Sequence, residues 1–482
     1  MIKKSFILKL LSLSVILSLL FFSICGCSSP STPAKPAETV QEKPTEKEPT
    51  GPREGGVLKA GISLYPTVLG YVPEMKTYQE YVIATTALEA LGRYNEAGQM
   101  EPWLAESWET DPAAKTITVK LKKGIKFHDG TDFNAEAVKW NMDEFLNYGR
   151  GEARDLESTD VLDEYTVRFN LTTWNSSILE ALFYFVLMTS PTAFEKNGKD
   201  WAINNPVGTG PFKFESWDRD VAVKFSKFND YWQEGKPYLD AVEWHLIADP
   251  MTAMASFQAK DIDVLVNLDP DIARQLEAAG ANIKKLETGL GALSIGFCGD
   301  SINPNSPFSD VRVRKAISFA VDKEAIVNNI LYGYAVVTNQ WGVPSSWCYN
   351  PDVEKYDYNP EKAKELLAEA GYPNGFKTKL TTLNSAMEVQ VMTAVQGYLA
   401  DIGIDAQMEL VETAHYREIT AAGAKPWEGL ILARGRGDAD IVTYMPRNFS
   451  KKGLLMVNGL MTTDKIEQLL LDAAAAQDFD TF

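Results

Sequence analysis

Histidine and cysteine are scarce in this chain, with three and four residues among 482. His128, His245 and His415 are scattered without ligand spacing, which argues against a dedicated zinc or nickel cage. Catalytic motifs are missing as well: there is no GxSxG elbow, no HExxH and no GxxxxGK[ST]. Gly208-Thr209-Gly210-Pro211 lacks the lysine of a phosphate loop and reads as a turn. Arg436-Gly437-Asp438 spells an adhesion tripeptide, a string short enough to arise by chance. Carboxylates number 65, so no pair stands out as the acid and base of a glycosidase. No constellation argues for an enzyme, and no cofactor is implied. Basic surface is also lacking. The formal net charge is −18; the leader lysines contribute +3 and residues 27–54 contribute −1, so the body carries −20, a field that repels nucleic acid and anionic headgroups.

Only one long apolar run exists, at the N-terminus. Lys3 and Lys4 precede Leu10 to Ile24, which is short for a membrane span and suited to the apolar core of an export signal. The run closes with Ile24-Cys25-Gly26-Cys27, which resembles the bacterial lipobox. Residues 1–26 are therefore expected to be a lipoprotein signal peptide, with Cys27 the lipidated, mature N-terminus. An ordinary signal peptide cut nearby and an uncleaved anchor are the alternatives. Ser28 to Glu54 is rich in Ser, Pro, Thr, Lys and Glu and cannot bury a core. Such a tether reaches from about 30 Å as a coil to about 80 Å as polyproline. The next most apolar stretch, Ile178 to Met188, contains Glu180 and is about half a span, so a buried helix is expected there.

The exported body is 45% hydrophobic and 23% charged by whole-chain composition, values of an ordinary globular protein, and its length calls for at least two domains. After processing, Cys298 and Cys348 remain, a pair able to form one disulfide in an oxidising compartment or to stay as two buried thiols. Val57 to Ile62 reads as a strand, and Thr116 to Lys122 alternates as a half-buried one. A helix is expected over Ala135 to Leu146. Asn359-Pro360-Glu361 supplies an N-cap, a first-turn proline and an acidic first turn, and Gly371 and Pro373 end that helix. A strand at Lys377 to Thr382, a helix at Ser385 to Asp401, a strand at Ala406 to Val411 and a helix capped by Thr413 follow. This alternation predicts an α/β lobe with a largely parallel sheet. Thr463 to Ala476 is a last helical stretch.

Five ordered blocks carry a resemblance. They are EPWLAESWE (Glu101 to Glu109), LKKGIKFHDGTDFNAEAVKW (Leu121 to Trp140), NPVGTGPFKFESW (Asn205 to Trp217), FSDVRVRKAISFAVDKEAIV (Phe308 to Val327) and NPEKAKELLAEAGYPNGF (Asn359 to Phe376). The chain from about Gly55 resembles the family 5 extracellular solute-binding proteins of dipeptide, oligopeptide and nickel importers. The resemblance implies an α/β, two-lobed fold of the periplasmic-binding-protein type (type II, with an extra inserted domain). Lobe 1 would span residues 55–287, with an inserted subdomain at about 79–206, and lobe 2 residues 288–482. It further implies a monomer that closes on a small solute, most plausibly a peptide, and delivers it to the permease and ATPase of an ABC transporter. His128-Asp129-Gly130 reads as a strand-to-helix turn rather than a catalytic dyad.

Two departures from the family pattern stand out. The chain reads as truncated at its C-terminus, leaving lobe 2 incomplete. Where relatives often have an aromatic, Gly-Asp and then Asp-Pro, this chain has Arg434-Gly435-Arg436-Gly437-Asp438-Ala439-Asp440. The resemblance makes Asp438 or Asp440 the expected anchor of a peptide ammonium; Arg434 and Arg436 either neutralise these aspartates or bind a ligand carboxylate. Trp174, Trp341, Trp347 and Trp427 are candidates to stack on a ligand such as a sugar, with packing as the alternative role. A metal-chelate, haem or sugar binder of the same fold, and a secreted hydrolase, are the competing functions. Replacing Cys27 by Ser is expected to move the protein from the membrane fraction to the soluble one; retention of the variant in membranes at the wild-type level refutes the lipobox.

Overall fold

Along the chain the strands are β1 (Val57–Ile62), β2 (Gly92–Tyr94), β3 (Met100–Pro102), β4 (Ala105–Asp111), β5 (Thr116–Leu121), β6 (Leu156–Asp163) and β7 (Thr166–Leu171). They continue as β8 (Phe212–Asp218), β9 (Ala222–Lys227), β10 (Ala241–Leu246), β11 (Val264–Leu265), β12 (Ala292–Gly299), β13 (Lys377–Leu383), β14 (Asp405–Val411) and β15 (Leu430–Gly437). The structure is a computed structural model. It describes residues 51–95, 99–175, 177–285, 292–342, 349–437, 445–446, 448–453 and 455–476, and residues 53–482 form one compact unit. Among the described residues no helix is long and apolar enough to cross a membrane.

The first sheet has the order β11-β1-β10-β9-β8, with β1 parallel to both β10 and β11 and the rest antiparallel. Its buried residues include Ile62, Val223, Phe225, Val242 and Leu246. A second sheet, β4-β5-β7-β6, is wholly antiparallel. Alternation in β5 and β7 sends Ile117, Val119, Leu121, Val167, Phe169 and Leu171 inward, as a period of two requires. The helix Ala135–Tyr148 packs on this sheet through Val138, Met142 and Phe145. Asn134 caps it by accepting from Ala137 N at 3.0 Å. The apolar stretch around Glu180 forms a π-helical turn, Glu180–Tyr184, shorter than the expected helix; Leu182 and Phe183 are buried in the same core.

A dense node joins these two sheets. His128, in the expected turn, is buried; its Nε2 lies 2.8 Å from Gly210 O, and its Nδ1 accepts from Gly208 N at 3.4 Å. The ring is therefore a neutral Nε2–H tautomer, and burial pushes its pKa down to about 4. A Cβ at Gly208 would come within 2.3 Å of Ala87 O, so only glycine permits this approach. Next to it, the Glu89 carboxylate accepts from Trp103 Nε1 (2.8 Å), Thr209 Oγ1 (2.8 Å), Tyr231 Oη (2.7 Å) and Trp232 Nε1 (3.0 Å). Desolvation nevertheless holds its pKa above the usual carboxylate range. Both groups are structural, in keeping with the turn reading of this segment.

The third sheet has the order β12-β15-β13-β14. β13 runs parallel to β14 and β15, and β12, antiparallel to β15, is the exception, so the sheet is largely parallel as the alternation predicts. β13, β14 and β15 follow one another through the helices Ala386–Asp401 and Thr413–Thr420, the long connections that parallel neighbours need. Helices Val311–Ala320, Pro360–Glu369 and Ala386–Asp401 cover one face through Val313, Ile317, Leu367, Met392, Val395 and Leu399. Asn359 caps its helix as read, accepting from Lys362 N at 3.0 Å. Thr413 does not cap: it is the first residue of the helix Thr413–Thr420, after Glu412. The last helix, Asp464–Ala475, is capped by Thr463 and has no fully buried residue.

The His128 ring sets a pH dependence. A depressed folded-state pKa means its stabilisation is fully present above the unfolded value of about 6.5 and is lost as pH falls toward about 4. The stability advantage of wild type over His128→Gln, from urea denaturation, is expected to shrink by about 3 kcal/mol between pH 7 and pH 4. A constant difference would show that the folded state does not exclude the imidazolium.

Candidate functional site

Ligands of open α/β sheets bind beyond the carboxyl ends of the parallel strands. In the third sheet those ends are Leu383, Val411 and, continuing the Leu380↔Leu430 register, the level of Ala433. β15 does not stop there. Arg434 to Gly437 continue, paired with Ile295 back to Ala292, as a two-stranded ribbon past the ends of β13 and β14. Arg434 is the first residue of that overhang. Strand alternation puts it on the face of Leu430 and Leu432, the face covered by the helix Ala386–Asp401.

From that helix Glu388 reaches the same point. Glu388 is 2% exposed, and its Oε1 lies 3.4 Å from Nε of Arg434, whose side chain is 42% exposed. Tyr416 closes the other face of the strand, donating from Oη to Leu432 O at 2.7 Å, and burial pushes its phenol up to about 12. The edge thus holds a cation that is half in water and anchored from below. Sequence reasoning named Arg434 but missed Glu388. The signal available was Ser385-Ala386-Met387-Glu388 at a helix entry, which reads as a cap and not as a site.

The remaining candidates are dispersed. Asp438 and Asp440 lie outside the described residues, as do Trp347, Cys348 and Cys27. Arg436 stands in β15 opposite Leu293. Trp427 is 6% exposed in a cluster with Ile431, Ala433 and Met456, so its rings are committed to packing and are not open to a ligand. Trp174 packs against the core of the second sheet and donates from Nε1 to Ala476 O at 3.3 Å, which ties that sheet's unit to the last helix. Trp341 lies 5.7 Å from the Phe449 ring. Both line a cavity of about 390 Å³ with Phe297, Cys298, Arg314 and Ile466. Its lining residues fall between Phe297 and Ile466 in the sequence, and Phe297, Cys298 and Gly299 place it beside the carboxyl end of β12. Cys298 is a free thiol in this structure, and burial pushes its pKa up to about 12. Among the described residues no cluster of three His, Cys, Asp or Glu is placed to hold a metal.

Residues 274–285 also meet the segment 332–334. Tyr334 Oη donates to Glu277 at 2.6 Å, Lys285 Nζ to Gly333 O at 3.2 Å, and the Arg274 guanidinium lies over the Tyr332 ring at 4.7 Å. The segment 332–334 therefore rests on the helix Pro270–Ala278, which follows β11 of the first sheet, and on the residues just after it.

Residues 99–452 match the family described as Bacterial extracellular solute-binding proteins, family 5 Middle. The chain belongs to this family. It is 36% identical over 332 residues to the glutathione-binding protein GsiB of Shigella flexneri, covering 67% of this chain and 63% of GsiB. The chain thus spans less than two thirds of the length of that relative. DppA from Helicobacter pylori, solved in complex with the peptide STSA, superposes with a TM-score of 0.70 at 28% identity, over 89% of this chain and 88% of DppA. HbpA2 from Haemophilus parasuis gives 0.75 at 25% identity, over 88% and 89%. The mixed α/β architecture is accordingly that of a two-lobed family 5 fold.

Packing at Trp427 yields a stability test. A Cβ at Gly459 would meet the Trp427 ring at 2.4 Å. Gly459→Ala is expected to cost about 1–3 kcal/mol by overpacking, and Trp427→Ala about 3–5 kcal/mol by cavity formation. Urea denaturation checks both; near-neutral values would return Trp427 to the list of rings free to meet a ligand.

Proposed function

We propose that this protein is the extracytoplasmic substrate-binding component of an ABC transporter, held to the membrane by lipid on Cys27. It captures a peptide between lobe 1 (residues 55–287) and lobe 2 (residues 288–482), closes by hinge bending and presents the closed form to the permease and ATPase. The protein works as a monomer and as a binder, not as an enzyme. The observation that carries this reading is the overhanging edge of β15, where Arg434 stands half exposed at the start of the segment that leads to Gly437-Asp438. The names of GsiB and of the DppA complex with STSA support a peptide as the ligand class. Closure follows from physics: a solute touching both lobes at once stabilises the closed state over the open one.

In this reading Asp438 or Asp440 anchors the ligand ammonium. A carboxylate in a partly dewatered cleft forms a charge-assisted hydrogen bond stronger than one at an open surface. Leaving a buried ammonium unpaired costs roughly 2–5 kcal/mol, at least about thirtyfold in affinity. Calorimetry with tripeptides and glutathione, each free and N-acetylated, is expected to show that loss on acetylation and in either Asp438→Asn or Asp440→Asn. Unchanged affinity throughout refutes the anchor, and failure of every peptide to bind refutes the ligand class.

A further inference from the structure

The helices that begin after Thr77 and after Ser385 share one entry signal, a hydroxyl residue followed three positions later by glutamate. At Thr77 and Glu80 the reciprocal box closes: Thr77 Oγ1 accepts from Glu80 N at 3.3 Å, and Glu80 Oε2 accepts from Thr77 N at 2.9 Å. At Ser385 and Glu388 it stays open. The Ser385 side chain makes no capping hydrogen bond, and Glu388 turns instead toward Arg434. The Glu388 oxygen nearest Arg434, Oε1, is buried and has no hydrogen-bond partner. A carboxylate suited to completing a helix start has been diverted, at a cost in stability, to stand behind a strand arginine.

The Arg434 side chain stays 42% exposed although Glu388 behind it is buried. The guanidinium is planar and carries five N–H donors. Glu388 occupies its Nε side, and among the described residues Arg434 has no other side-chain partner. The two terminal nitrogens, Nη1 and Nη2, remain as a parallel pair of donors, the geometry that receives a carboxylate in bidentate fashion. Spacing agrees with a short peptide. Gly437 is three residues farther along β15, roughly 10 Å at strand rise, and an extended tripeptide spans about 10 Å.

We propose that Glu388 is a positioning residue that fixes Arg434 to receive a ligand carboxylate, so that the cleft selects peptides with a free carboxyl group. This rests on the peptide-binding reading above and adds a residue and a ligand class to it. Arg434 is the group that touches ligand; Glu388 acts through it, by taking the Nε side and holding the plane of the fork.

The test is calorimetry on the whole chain with two matched pairs: Ala-Ala-Ala against its C-terminal amide, and glutathione against its glycine ethyl ester. Wild type is expected to favour the free acids by about tenfold or more. Arg434→Gln is expected to bring that ratio near one, Arg434→Lys to keep part of it, and Glu388→Gln to reduce it. Selectivity is the informative readout, because damage to the fold weakens acid and blocked forms together. If Glu388→Gln does not fold, the half-exposed Arg434 variants still decide the matter. A wild type without preference, or an unchanged ratio in the Arg434 variants, overturns the inference and leaves peptide binding intact. A ratio unchanged in a folded Glu388→Gln overturns the positioning role. Failure of all four ligands to bind overturns the peptide reading and this inference with it.

Discussion

The Glu89 carboxylate draws Trp103, Thr209, Tyr231 and Trp232 onto one buried acid, and those donors come from three separate stretches of chain. Each donor satisfies a lone pair that would otherwise face apolar surroundings, so loss of any one leaves a buried charge or a buried N–H uncompensated. The neighbouring neutral His128 ring binds the Gly208 to Gly210 turn from the other side. Between them the first sheet and the antiparallel second sheet are held in one relation. In the proposed closure a lobe moving as a rigid body depends on such a node, because hinge motion is useful only when the moving pieces do not deform.

The third sheet is organised by an overhang. The parallel strands β13 and β14 end at about the same level, and the pairing of β12 with β15 carries on past them. That extension lifts Arg434 clear of the sheet and into reach of solvent, while the helix Ala386–Asp401 supplies the carboxylate that meets it from the core side. An ion pair whose cation is half exposed contributes little net stability. What it contributes is a fixed direction for a charged group. The same economy appears at Trp174, whose indole N–H meets Ala476 O, and at Tyr334, which meets Glu277: polar side chains link pieces of the fold that share no apolar core.

Much of the local structure could be read in advance because local signals and burial agree. Val57–Ile62, Thr116–Leu121 and the helix after Asn359-Pro360 form where alternation, capping and first-turn proline place them. Errors arose where tertiary contacts outweigh those signals. Thr413 has the chemistry of a cap but sits one residue inside its helix. The apolar run at Ile178 to Met188 has helical composition, yet its side chains are pulled into the Phe169 and Phe183 core after a single wide turn. Glu89 and Glu388 were invisible among 65 acidic residues, since nothing in their neighbours in sequence reveals which carboxylates will be buried.

The sequence by itself determined the family and the order of elements, because five motif blocks encode turns, caps and core positions through contacts between near neighbours. It also singled out Arg434, because an arginine in place of the usual small or aromatic residues is a change that can be seen in one dimension. Tertiary structure alone decided that Trp427 belongs to the core, that Cys298 faces a cavity beside the carboxyl end of β12, and that Glu388 stands behind Arg434. The reason is range. Glu388 and Arg434 are 46 positions apart, and only the packing of a helix across a sheet brings their side chains within 3.4 Å.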